Sequence, residues 1–154
     1  ILQVAADIVL PEGMSQGMGA YEISVESEGS VQDTLVTYSI SRWSFTGGAH
    51  GMYGIEYHTY SITDGYELSL ADLFTAPQLL GMEKLLREKL YAQYGTDNDE
   101  GLAEQGFFPE YIALTENFQI TPEGITFYYN PYAIACYALG AVEVAIGREE
   151  LEQF

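Results

Sequence analysis

The sequence contains one cysteine, Cys136, two histidines, and only five lysines and arginines in 154 residues. A lone cysteine excludes an internal disulfide and leaves the redox compartment open. Two histidines and one cysteine leave zinc short of its usual nitrogen and sulfur ligands, and no spacing asks for such a site. No apolar run approaches the roughly 20 residues of a membrane helix. Basic residues are outnumbered by 23 Asp and Glu, giving a net charge of −18. Nucleic acid is therefore an unsuitable partner, because phosphates demand clustered Lys and Arg. No repeat, low-complexity tract, GxSxG elbow or Walker glycine loop is present.

What is present is a folded chain: 47% of residues are apolar, 14% are aromatic, and there are 13 tyrosines. At this length one domain buries roughly 70% of its unfolded surface. The acidic field suits a basic protein partner or divalent cations, although most of the carboxylates need serve only solubility. The chain opens at Ile1 without a methionine or signal peptide and reads as a trimmed fragment.

Residues 1–20 combine an apolar start with a Gly/Met-rich tract and read as an edge strand followed by a loop. From Tyr21 the stretch YEISVES alternates, with Tyr21, Ile23 and Val25 on one face, and predicts a half-buried strand. DTLVTYSISRWSF is a second strand, GIEYHTYSI a third and YELSL a short fourth, following the turn signal TDG. SLAD resembles a capping box that opens a helix at Ser69. Pro77 suits the first turn of a main helix with Leu79, Met82, Leu86 and Leu90 on one stripe, a Glu83–Arg87 pair outside and Gly95 as C-cap. The acidic segment TDNDEGLAEQG predicts an exposed loop with a short helix. NFQIT and ITFYYN flank PEG as a hairpin, AVEVAI is a last strand, and REELEQF closes with a helical turn. The fold class is α+β: a mostly antiparallel sheet with one main helix and shorter helices packed on it.

Chemical motifs are sparse. DNDEG begins like a calcium loop, but Gly101, Leu102 and Phe108 occupy positions that need ligands or glycine. Cys136 sits in apolar sequence and reads as packing. His58 reads as part of a polar strand face. Paired carboxylates could support glycoside hydrolysis, but their separation is not a property of sequence. Phe127, Tyr128 and Tyr129 must place aromatics on both faces of one strand, and one face is expected to be accessible. The segment FTGGAHGMYG frames His50 with glycines. Gly47 and Gly48 permit positive φ, so the segment reads as a bend between strands that His50 locks by hydrogen-bonding neighbouring backbone.

WSFTGGAHG followed by TDGYELSLADLF, together with FQITPEGITFYYNPYAIACYALGAVEVAI, resembles the C-terminal domain family shared by RsiV, a lysozyme-binding anti-sigma factor, and PdaC, a peptidoglycan deacetylase. The likeness covers residues 21–154 and leaves residues 1–20 as a remnant of a preceding domain. Ala133 and Cys136 depart from the family's pattern, which has an acidic residue and a proline there. The resemblance implies a non-enzymatic, extracytoplasmic binding or sensing domain of the bacterial cell envelope, periplasmic or at the cell surface and tethered through a missing N-terminal membrane or lipid anchor. Its partner would be lysozyme, another basic protein or cell-wall glycan, with no nucleic acid, metal or cofactor. The contact residues expected are His50, Tyr53, Tyr129 and Tyr132. The alternatives are a cell-wall or carbohydrate-active enzyme with paired carboxylates and a structural accessory domain.

Overall fold

A computed structural model describes residues 21–154; the strand and loop expected over 1–20 lie outside the described residues. The architecture is α+β, but its strands form two three-stranded antiparallel sheets in place of one. The first contains β1 (Glu22–Gln32), β2 (Leu35–Phe45) and β3 (Met52–Ser61), in that order. The second contains β4 (Phe118–Thr121), β5 (Gly124–Tyr129) and β6 (Val142–Gly147). Short helices α1 (Leu70–Leu73), α3 (Asp99–Glu104) and α4 (Arg148–Leu151) accompany the main helix α2 (Ala76–Tyr94). The expected fourth strand, YELSL, is reduced to a bridge between Tyr60 and Glu67. The Ser61–Asp64 turn and the helix start at Ser69 leave too little extended chain between them.

The core belongs to the second half of the chain. Met82, Leu86 and Leu90 are fully buried on the predicted stripe of α2 and pack with Ile125, Phe127, Val142, Val144 and Ile146. Pro77 lies in the first turn, and Gly95 ends the helix in the left-handed conformation with φ 66°. Asp72 reaches back to Ser69, accepting from its N–H at 2.9 Å and its hydroxyl at 2.6 Å. These hydrogen bonds hold the Asp72 carboxyl below its ordinary pKa. Arg87 does not use Glu83 as its acceptor. Its guanidinium donates to Asp99 at 2.8 Å and to the carbonyls of Pro109 and Ile112. A forked cation with several donors is better satisfied by acceptors fixed in loops than by one mobile side chain. The same Asp99 accepts from Tyr91 at 2.6 Å, so the candidate calcium loop contributes a carboxylate to a structural ion pair.

The first sheet is built differently. None of the buried apolar residues comes from β1, β2 or β3; what they bury is Thr37, Thr59 and Ser61. β1 was expected to be half-buried, yet Ile23 and Val25 are 65% and 60% exposed. Among the described residues it is an edge strand, and its apolar face points away from the second sheet. That face is shared with Tyr38, Tyr60 and a polar string in which His58 donates to Glu67 at 2.5 Å and Arg42 pairs with Glu56. The other face meets the second sheet, where Tyr57 packs edge-on against Tyr128.

The two sheets are joined by side-chain amides. Asn117 accepts from the Tyr57 N–H at 2.8 Å and donates to the carbonyls of Ile55 and Tyr128. Asn130 accepts from the Ile55 N–H at 2.8 Å and donates to the Ile55 carbonyl. A Cβ on Gly54 would stand 2.8 Å from the Asn130 Oδ1, so glycine is what lets that amide reach the strand. The amides satisfy β3 as a neighbouring strand would, without continuing the ladder.

Candidate functional site

The bend between β2 and β3 has the expected backbone: Gly47 and Gly48 sit at φ 89° and 110°. His50 Nδ1 donates to the Gly51 carbonyl at 2.9 Å, the neighbouring-backbone lock read from the sequence. The same carbonyl accepts from the Tyr137 hydroxyl at 2.6 Å, although Tyr137 lies 86 residues further along. The His50 ring stacks on Tyr137 with centroids 3.8 Å apart and planes 19° apart. Two hydrogen bonds on one carbonyl and a stacked ring pair thus fasten the bend to the segment before β6.

Around Tyr137 the aromatics continue. Tyr132 lies 5.5 Å away, centroid to centroid, and Tyr53 meets the ring edge-on at 6.2 Å. The Tyr53 hydroxyl accepts from the Ala141 N–H at 3.2 Å. Across the β2–β3 ladder Tyr53 is paired with Trp43. The result is one ridge, Trp43–Tyr53–Tyr137–His50–Tyr132, in which the half-buried Tyr137 ring meets His50, Tyr53 and Tyr132 and the other four rings are exposed. Tyr132 is 50% exposed and occupies the left-handed region at φ 71°. That conformation costs a non-glycine residue about 1 kcal/mol, so the surrounding contacts hold the ring out against a backbone preference.

Beside the ridge a groove of about 310 Å³ is lined by Ser24, Glu26, Ser41, Arg42, Trp43, Tyr53, Gly54 and Ile55. It is largely apolar and carries Glu26, Arg42 and two serines among its polar residues. Such a surface offers aromatic area together with hydrogen-bonding edges, the combination that recognises proteins and sugars.

The structure therefore brings together His50, Tyr53 and Tyr132 but not Tyr129. Tyr129 is 4% exposed, and its hydroxyl donates to the Ala113 carbonyl at 2.6 Å. Burial pushes its pKa well above the ordinary tyrosine value of 10.0, with the Glu83 charge adding to the rise. Neither face of the FYY run is accessible: Phe127, Tyr128 and Tyr129 are all buried. β5 is the central strand of its sheet, with the core on one side and β3 on the other. Sequence reading missed Trp43 and Tyr137. Trp43 was marked as the end of a strand, and its register opposite Tyr53 was the available signal. Tyr137 carried none, because only the fold brings it to the bend.

Among the described residues no helix is long and apolar enough to cross a membrane, and no cluster of His, Cys, Asp and Glu is arranged to hold a metal.

This arrangement defines an α+β module with an exposed aromatic ridge built on the bend between two strands. The sequence profile of the DUF3298 family, described as a protein of unknown function, matches residues 71–149, more than half of the chain. The chain belongs to that family. It is 35% identical to a DUF3298 family member from Bacteroides fragilis, with a TM-score of 0.79 over 88% of this chain and 54% of that one. It is 26% identical to a DUF3298 family protein from Pseudomonas aeruginosa PAO1, with a TM-score of 0.69 over 86% of this chain and 61% of the other. The chain thus spans just over half to three-fifths of the length of these solved structures. No curated protein matches it significantly.

Proposed function

We propose that this domain is a non-enzymatic recognition module of the bacterial cell envelope, extracytoplasmic in place, that binds a basic protein through the ridge Trp43–Tyr53–Tyr137–His50–Tyr132. The observation that carries the reading is the ridge itself: five aromatic rings from two distant segments are fastened together at the surface. They belong to a chain of net charge −18. The division of labour follows from physics. A strongly acidic surface raises the encounter rate with a cationic partner, and it does so less at higher salt. Aromatic side chains held in one geometry then supply contact area at low entropic cost. Lysozyme is the first partner to test, since it is the ligand implied by the resemblance to the RsiV domain.

The test is calorimetry with lysozyme at low and physiological salt, with an unrelated protein of similar positive charge as control. Stoichiometric binding to lysozyme alone, retained at the higher salt and weakened at least tenfold by Tyr137→Ala, supports the reading. Weak heats with both proteins that vanish as salt rises would remove it and leave the acidity as a solubility feature.

A further inference from the structure

Among the described residues the outer edge of β1 has no strand beside it. Among the described residues β1 pairs only with β2, through eleven consecutive residues from Glu22 to Gln32 without a bulge. It contains no lysine and no proline, and the charges that guard it against other edges are all negative: Glu22, Glu26 and Glu28. Its side chains sort cleanly by face. Ile23, Val25 and Val31 point to the exposed apolar side, while Glu22, Glu26 and Glu28 point to the side of the aromatic groove. Ile23, Val25 and Val31 are each at least 60% exposed. Among the described residues the acidic row has no basic side chain opposite it on β2 or β3: the same face there carries Leu35, Thr37, Ser39, Ser41, Trp43 and Phe45, then Tyr53, Ile55, Tyr57, Thr59 and Ser61.

We infer that β1 is a docking edge for an extended polypeptide strand that alternates apolar and basic residues, added as a fourth strand of the first sheet. Backbone hydrogen bonds would supply affinity, and alternation would supply specificity. Apolar side chains of the added strand would lie beside Ile23, Val25 and Val31. Its lysines or arginines would lie beside Glu22, Glu26 and Glu28, of which Glu26 stands at the groove. Opposite charges on neighbouring strands are favourable and like charges are not. A second copy of β1 is a poor occupant for that reason: antiparallel pairing about Ser27 sets Glu26 against Glu28. The inference rests on the proposed function for the sign of the partner's charge, and adds the element of the partner that is bound.

The test uses the whole chain and three synthetic heptapeptides: lysine alternating with valine, the same composition arranged in blocks, and glutamate alternating with valine. Labelled-peptide anisotropy gives affinity, and amide hydrogen exchange gives location. The alternating lysine peptide should bind at least tenfold more tightly than the block peptide and slow exchange in β1. The double variant Glu26→Lys/Glu28→Lys, changed only at exposed positions, should transfer the preference to the glutamate peptide. Equal binding of the alternating and block peptides would overturn the inference, and so would no binding. Protection of the outward β1 amides in the free protein would also overturn it, because residues 1–20 or a second copy would already hold the edge. Lysozyme binding that Tyr137→Ala weakens would survive such a failure, so the ridge and the edge can fail separately.

Discussion

Val144 and Val25 each sit within a strand at the edge of a three-stranded antiparallel sheet. One is 1% exposed and the other 60%. The difference comes from what lies over each sheet. Helix α2 lays Met82, Leu86 and Leu90 across the second sheet, so the apolar positions of β5 and β6 pack into a dry core. Nothing among the described residues lies over the apolar face of β1, and between the sheets the first one buries hydroxyls, with Thr37 and Thr59 oxygens 3.4 Å apart. Two sheets of equal strand number therefore play different parts. The second holds the molecule together, and the first, with the bend at its end, presents surface.

If that division is correct, Leu86→Ala should produce the largest loss. Emptying a fully buried site typically costs about 2–5 kcal/mol, and urea denaturation would show the whole chain unfolding at lower denaturant. The seam comes next. Asn117→Ala removes the acceptor of the Tyr57 N–H and leaves the Ile55 carbonyl to Asn130, a cost of about 1–3 kcal/mol for the unpartnered N–H. Amide exchange should quicken in β3 while β5 and β6 keep their protection. Equal loosening of both sheets would contradict the division.

Tyr129 gives a smaller and pH-dependent effect. Its folded pKa is raised above the unfolded value of 10.0. The neutral ring's contribution is therefore complete below pH 10 and lost progressively as pH rises beyond it. Thermal melts of the wild type should fall above about pH 10 more steeply than those of Tyr129→Phe. At neutral pH the variant should lose about 1 kcal/mol with the hydrogen bond to Ala113. The smallest effect belongs to Val25→Thr, which should stay within about 0.5 kcal/mol because the site is largely exposed. A loss as large as that of Leu86→Ala would mean that the apolar face of β1 is covered in solution.

Local signals in the sequence were enough for much of this. The stripe of α2, Pro77 near its start, Gly95 at its end, the PEG hairpin and the GGAHG bend all depend on residues near one another in the chain. His50 and Tyr53 are close for the same reason, whereas Tyr132 joins them only through Tyr137, a contact between distant segments. What was illegible depends on distant partners. Alternation in YEISVES defines two faces but not which one is covered. Two asparagines acting in place of a ladder leave no periodicity, so one sheet was expected where there are two. Tyr129 alternates as an exposed strand residue does, and only its central place in the sheet buries it.

The asparagine seam also has a mechanical side. A pull applied at Tyr21 arrives at the Glu22–Phe45 end of the first ladder, so its hydrogen bonds bear the load one after another. β1 and then β2 would peel away at low force. The load would then meet the Tyr137 and Tyr53 bonds at the bend and, with β3 standing alone, Asn117 and Asn130, and these side chains together would act as the link that decides whether tension passes into the core or stops at its boundary.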